Sequence, residues 1–436
     1  MSKWQRCLAV IAVLATAAVL GIYGKERKTV IVLEFGMFAG SNWDVANANS
    51  YAIIDEAITM FEQAHPGVTV HYSSGIIKEE YSEWLSQKVL KGEAPDVFMV
   101  LTNDFNQFSS IGIMKDLDTL MDEDGEFDES LYYASTLHTG RYLGHQYALP
   151  YETVPSLMFV NKTLLNKSGY AVPDEDWTWE DFYRLCREVT MDVDGDGLYD
   201  QFGSYNYTWE DAVYSNGAAL FDADGKKAFF TDDTVIEAIK YWKKINDLNQ
   251  GQKVTQDDFD GGHVAFMPLQ FSDYRTYKTY PYKIKKYTTF QWDCITMPAG
   301  PEGGNTSEIN TLLMGINSKT KHERLAWEFL KLLTYNESIQ TDIFKYSQGA
   351  SVLKSVTESD EAESMIRQDM EEGEKIIDNG LLSRVIEEGT VAPKFQKYSE
   401  ALALADGEIG RIFEDDKNVD STLKIFQRTI SKYLKK

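Results

Sequence analysis

The sharpest chemistry in this chain is a run of oxygen donors at alternate positions. Asp192, Asp194, Asp196, the carbonyl of Leu198 and Asp200 follow one another, with Gly195 and Gly197 between them. That order matches most of a calcium-binding loop, in which side-chain oxygens and one backbone carbonyl converge on a hard cation. The position that would carry the closing bidentate Glu is Gly203, so a last ligand has to come from elsewhere. Carboxylates this crowded repel one another, which favours a cation where calcium is abundant. The competing reading is an Asp/Gly turn that holds no metal. Calcium here would be structural; no cofactor is expected for function.

The other residues suited to a ligand are carboxylates and aromatics near strand ends. Residues 30–35 read as a buried strand, and Trp43 and Asp44 lie on the loop after it. The stretch GEAPD at 92–96 leads into a strand at 97–101, followed by Asp104 and Phe105. In open α/β sheets, ligands collect outside the carboxyl ends of the strands. Trp43 reads equally as a packed loop anchor, and Asp104 as a helix N-cap. Asp104 and Glu152 also keep a glycoside hydrolase or lyase open as an alternative, since such enzymes pair two carboxyl groups at a set separation. Against catalysis, the chain has no G-x-S-x-G, no P-loop, no H-E-x-x-H and no paired C-x-x-C, and its six His are scattered.

Composition narrows the field. The 436 residues suffice for two or three domains. Asp plus Glu is 68 against 43 Lys plus Arg, a net charge of -25. That excludes nucleic acid as a partner and argues against broad contact with anionic lipid. Aromatics make up 13% of the chain, more than a core alone requires, which leaves material for an aromatic-lined cleft. Of the three cysteines, Cys7 lies in the leader, and Cys186 and Cys294 read as free buried thiols. Lys3 and Arg6 precede an apolar stretch from 7 to 23. It spans about 25 Å as a helix, slightly short for a bilayer. Ile22 and Tyr23 make a poor small-residue cleavage site, so the leader reads as an anchor for an exported body, with cleavage and release as the alternative.

These residues are positioned by strands and helices that alternate along the chain. Ile54, Ala57, Ile58 and Phe61 form one helical stripe, closed by His65-Pro66-Gly67 before a strand at 68–70. The segment 150–155 is bounded by Pro150 and Pro155 and reads as an extended hinge. Residues 156–160 follow as an apolar strand, and Thr178 caps a helix whose inner face is Phe182, Leu185 and Val189. The final helix carries Leu423, Phe426, Ile430 and Tyr433 on one face.

Several of these stretches occur in a recognisable order. They are FEQAHPGVTV at 61–70, ALPYETVPSLMFVNKTLL at 148–165 with WTWED at 177–181, FDGGHVAFM at 259–267, read as a strand, and SKTKHERLAWEFLKLLT at 318–334. Together they resemble the extracellular solute-binding proteins of ATP-binding-cassette importers, the sugar-binding family that includes maltose-binding protein. The resemblance runs from about residue 30 to 351 and implies an α/β, two-lobed, type II periplasmic-binding-protein-like fold with three interlobe crossings. It divides the chain into a leader (1–28), lobe 1 (29–150 plus 298–345) and lobe 2 (151–297 plus 346–436). It implies a monomer that closes on a carbohydrate and docks on a membrane permease. It places Tyr205, Asn206, Tyr207 and Trp209 in an aromatic cluster facing the sugar, and an aromatic platform at Phe271 or Tyr274 beside Asp273 and Arg275. It puts Trp43, Asp104, Tyr151 and Glu152 at the ligand, with Glu152 reading alternatively as a tie within the hinge. A further alternative is a calcium-dependent surface adhesin.

Overall fold

The computed structural model describes residues 30–278, 290–367 and 377–436, apart from 44, 46, 48 and 50. The leader and Asp44 lie outside the described residues. Among the described residues no helix is long and apolar enough to cross a membrane.

The first strand, β1 (Ile31–Gly36), buries Leu33 and Phe35 and turns Val32 outward, the period of two that a one-sided strand needs. It pairs in parallel with β2 (Val68–Tyr72) and β3 (Val97–Val100). Helix α1 (Ala52–Ala64) joins β1 to β2 and buries Ile53, Ile54, Ala57 and Phe61. Helix α2 (Lys78–Lys91) ends at Gly92, whose φ of 72° supplies the left-handed C-cap. Helix α3 (Thr102–Ser110) begins two residues after β3.

The chain then enters β4 (Ala148–Asn161), a 14-residue strand through both prolines. A proline removes a ladder donor and is tolerated at irregularities. The partner strand β8 (Ile309–Ile316) shifts register between Leu312 and Leu313, opposite Glu152 and Pro150. Pro155 faces Ile309, where that pairing ends. The expected Pro-bounded segment is thus continuous strand, held by a bulge at one proline and a change of partner at the other. Up to Pro155, β4 pairs with β8 and β9 (Ala350–Ser351). From Ser156 it pairs with β6 (Val264–Gln270) and β7 (Trp292–Ile295), and β5 (Phe202–Ser204) lies parallel to β6. The strand order is β2-β1-β3-β8-β4-β6-β5, with β7 and β9 also on β4. This is a mixed α/β fold, in keeping with the α/β class expected.

Helices pack on both faces of these strands. Helix α4 (Trp179–Val189) starts in a capping box in which Thr178 and Asp181 satisfy each other's backbone, and it buries Phe182, Leu185 and Val189. Helices α5 (Trp209–Ser215), α6 (Asp233–Asn246) and α7 (Phe271–Lys278) follow. After β8 come α8 (Glu323–Tyr335) and α9 (Glu337–Tyr346), and the chain closes with α10 (Tyr398–Glu414) and α11 (Val419–Leu434). Two apolar cores result. One gathers β1, β2, β3, β8 and α8, and reaches under β4 through Leu157 and Phe159. The other takes Met158 and Val160 from the opposite face of β4, together with α4, α5, α6, α10 and α11. Alternation along one strand thus feeds both cores.

One strand expectation is corrected. The stretch 259–267 is not strand throughout: Phe259 and Asp260 end a short helix, Gln256–Asp260, begun by a Thr255–Asp258 capping box, and extended structure starts at Val264. Cys186 and Cys294 are free and buried.

Candidate functional site

The structure brings together three of the expected ligand residues: Trp43, Glu152 and Arg275. Glu152 points inward from β4 with 3% of its surface exposed. Its Oε1 accepts from Ser347 Oγ at 2.5 Å and from the Gly349 N–H at 2.6 Å. A Cβ on Gly349 would lie 2.4 Å from that same oxygen, so glycine is required there by close approach. Arg275, on α7, donates to the carbonyls of Gly349 at 2.9 Å, Ile343 at 3.4 Å and Phe344. Acid and base therefore hold the two polar groups of one residue, Gly349. Burial pushes the Glu152 carboxyl up, against the bonds from Ser347 and Gly349 and the nearby Trp43 and Arg275, which hold it down. Burial brings the Arg275 guanidinium down to about 10, opposed by Glu152. Trp43 is buried, and its indole N–H makes no hydrogen bond of ordinary geometry, although it faces Glu152.

The remaining expected residues diverge. Tyr151 is buried, its hydroxyl pushed up by burial beside Glu152 and Asp342, and its carbonyl accepts from Gln340 Nε2 at 3.0 Å. Phe271 and Tyr274 are buried and parallel, 6.2 Å apart, and the Tyr274 hydroxyl accepts from the Ile377 N–H. Asp273 accepts from the Gln270 N–H at the start of α7. Tyr207 and Trp209 belong to the second core. Tyr207 lies edge-on to Phe182 at 5.0 Å, and the Trp209 indole donates to Asp406 at 3.1 Å.

Beyond Asp273 and Arg275, which are half-buried, three more expected residues keep access to solvent. Asn206 is exposed and left-handed, with φ 57°. Tyr205 is half-buried and stacked on Phe259 at 6.3 Å. Asp104, half-buried in the first turn of α3 rather than at its cap, accepts from Ser82 Oγ at 2.6 Å. Desolvation raises its carboxyl, and the Ser82 bond opposes that. Asp104 and Tyr205 both follow carboxyl ends of parallel strands, β3 and β5.

Sequence reasoning missed two features. Ser347 and Gly349 are small residues far along the chain from Glu152, and nothing local marks them as its partners. The second is a charged group comprising the acids Glu210 on α5 and Glu308 just before β8 and the cation Lys394 ahead of α10, beside the Tyr214 and Tyr398 hydroxyls, which lie 3.5 Å apart. Burial, with Asp406, Asp211 and Glu308 nearby, pushes Glu210 up to about 7. Burial raises Glu308 and lowers Lys394.

The Asp-rich loop folds around its own carboxylates. Asp192 accepts from the N–H groups of Gly195 and Gly197, Asp194 from Asp196, Asp196 from Leu198, and Asp200 from Val193 and Asp194. Oxygens of Asp192, Asp194 and Asp200 converge to within 4.8 Å, and Asp196 is outside that group. Gly203, at the closing position, instead donates its N–H to Thr190 Oγ1 at 2.9 Å. A second surface group, Asp116, Asp118 and His145, converges similarly, with His145 Nδ1 2.7 Å from Asp118. Either group has the donors to hold a metal ion.

The family model for bacterial extracellular solute-binding proteins matches residues 45–339. A putative binding protein of Brucella abortus is 24% identical over 307 residues, covering 66% of this chain and 69% of the relative. An uncharacterised lipoprotein of Streptomyces antibioticus is 24% identical over 310 residues, covering 65% of this chain and 64% of the relative. Among solved structures, the cyclic alpha-maltosyl-1,6-maltose binding protein of Arthrobacter globiformis is similar, with a TM-score of 0.75 at 16% identity, covering 93% of this chain and 98% of that one. The sugar-binding protein MalE of Xanthomonas citri is also similar, with a TM-score of 0.73 at 14% identity over 92% of this chain and 97% of that one. At these identities the structures speak for the fold, and the family match, which spans more than half of the residues, speaks for kinship: the chain belongs to the bacterial extracellular solute-binding protein family.

Proposed function

We propose that this protein captures a carbohydrate and delivers it to the permease of an ATP-binding-cassette importer, without chemical turnover. The observation that carries the reading is the family match, joined to structural likeness with proteins described as binding maltose, mannotriose and cycloalternan. Calorimetry against a panel of mono- and oligosaccharides tests it. Binding of at least one sugar without product formation is expected. Product accumulating in proportion to protein would restore the hydrolase reading.

In this reading two lobes, 29–150 plus 298–345 and 151–297 plus 346–436, are joined by three crossings and close about them. Glu152, Arg275 and the segment at Gly349 form the tie at the crossings. Asp104, Tyr205 and Asn206 face the ligand: the carboxylate and amide take sugar hydroxyls, and the ring takes an apolar sugar face. The acting species is a monomer on the outer face of the membrane, held by its leader. N-terminal sequencing from the native host distinguishes an intact leader from a start between residues 22 and 28.

The Asp192–Asp200 loop is proposed to hold structural calcium, with Asp192, Asp194 and Asp200 as side-chain ligands and the Leu198 carbonyl as a fourth. A cation binding only the folded state adds about 2.7 kcal/mol at a hundredfold excess over its dissociation constant. Melting in calcium and in chelator checks this, with Asp194→Ala expected to abolish the difference.

A further inference from the structure

The outward face of α11 has no counterpart elsewhere in the chemistry described so far. Its inner face is core: Leu423 and Ile430 are wholly buried and Phe426 is 4% exposed. Its outer face presents Lys424, Arg428 and Lys432 at successive turns, and Lys435 and Lys436 extend the row. All five are exposed, and none is within ion-pairing distance of a carboxylate among the described residues. The acids nearest in sequence are already engaged: Asp420 by Lys240 at 2.8 Å, Asp416 by Lys243 at 2.9 Å and Asp415 by Lys417 at 2.8 Å. Ile425, 63% exposed, adds an apolar side chain within the same row.

Such segregation is unexpected in a chain of net charge -25. What sets this row apart is alignment: the outer face of a helix about 24 Å long carries its cations in register, with no carboxylate paired to them among the described residues. An amphipathic helix with basic residues in register and an exposed apolar side chain is complementary to a layer of anionic headgroups. We propose that the outer face of α11 docks on anionic phospholipid at the membrane surface. The protein's overall charge keeps the rest of its surface away, so the contact is one-sided and sets how the molecule sits over the membrane. This inference does not depend on which solute is bound.

Co-sedimentation of the full chain with vesicles tests it, comparing equimolar phosphatidylglycerol and phosphatidylcholine with phosphatidylcholine alone. The leader contributes to both, so the ratio of the two partition coefficients isolates the charge-dependent part. The wild-type ratio should exceed one and collapse toward one near 0.5 M salt, as screening shortens to a few ångströms (about 3–5 Å). Combining Lys424→Gln, Arg428→Gln, Lys432→Gln and Lys435→Gln should lower the ratio by about fivefold per neutralised cation. The same number of neutralisations at exposed lysines elsewhere, including Lys319→Gln and Lys321→Gln, should leave most of it. All substituted positions are exposed, and an unchanged melting temperature confirms folding. A ratio that survives the α11 substitutions overturns the proposal. So does a vesicle ratio unaltered by them while solute uptake through the permease is lost, which would make the partner an acidic protein surface.

Discussion

Two groups of enclosed charge in this protein, one at Glu152 and one at Glu210, are built on opposite principles. At Glu152 every charge has a partner: the carboxylate takes two hydrogen bonds, and Arg275 spends its N–H groups on three carbonyls of the facing segment. At Glu210 carboxylates outnumber the one cation of the group, Lys394, and desolvation with Asp406, Asp211 and Glu308 drives the Glu210 carboxyl up to about 7. The first arrangement fixes a backbone; the second makes the fold sensitive to protons. A buried carboxylate is thus no indicator of a ligand site until its partners are known.

Of the changes that touch these two groups, the largest effect should come from removing the base of the first. Arg275→Met strands three carbonyls and leaves Glu152 buried without its nearby cation, a loss of about 3–5 kcal/mol. Chemical denaturation should show this as a lower midpoint, with the slope unchanged. A shift no larger than that of an exposed Arg, such as Arg324→Met, would break the distinction between the two groups.

Glu152→Gln is milder, because the amide still accepts from Ser347 and Gly349. Neutral bonds replace charge-assisted ones, at a cost of about 1–3 kcal/mol. If Glu152 is a tie, the melting temperature falls and saccharide affinity holds. If it contacts sugar, affinity falls about tenfold or more, since 1.4 kcal/mol is a factor of ten. Measuring both on one variant separates these outcomes, and the geometry leads us to expect the first.

The second group predicts a pH dependence. A carboxyl whose folded-state pKa is raised gives stability that is complete below the unfolded value of about 4.5 and is lost as pH rises through the folded value. For Glu210 that window runs from about 4.5 to about 7. Asp211, pushed up to about 6 mainly by burial, adds in the same direction. Because Glu210 is only partly enclosed, we expect about 1–2 kcal/mol rather than the full conversion. Melting temperature should decline between about pH 5 and 8, and Glu210→Gln should flatten the decline. A slope unaltered by that substitution would remove the contrast.

The parts of this molecule that were legible in sequence are those decided by local periodicity and capping. Thr178 with Asp181, the inner face Phe182–Leu185–Val189 and the row Leu423–Phe426–Ile430 are all read from residues a few positions apart. What was not legible depends on distant partners. Pro150 and Pro155 signal a break until β8 supplies a bulge across from one of them and ends its pairing at the other. Phe259 reads as strand from its apolar neighbours alone, whereas Thr255 and Asp258, three positions apart, carry the capping-box signal that starts a helix there. The partners of Glu152 lie 195 and 197 residues away, beyond any pattern in sequence. Aromatic type is equally silent about burial: Tyr205 and Trp209 sit four positions apart with opposite fates.

Within that last pair, Tyr205 supplies the smallest stability change and the sharpest test of where the ligand lies, with Trp209 as its buried counterpart. Trp209 is 3% exposed, packed in the second core with its indole bonded to Asp406. Truncation to Ala there should cost about 3–5 kcal/mol through lost burial and the cavity left behind. Tyr205 keeps one side open, braced from behind by Phe259 at 6.3 Å. Tyr205→Ala removes little core, so its melting temperature should stay near wild type. If the ring stacks on a sugar face, the same substitution should weaken saccharide binding about tenfold, equivalent to 1.4 kcal/mol, and Tyr205→Phe should retain most of the affinity because the ring survives. Loss in both variants would assign the contribution to the hydroxyl instead of the ring. Affinity unchanged in Tyr205→Ala would move the ligand away from the carboxyl end of β5, leaving Asp104 beyond β3 as the place to look.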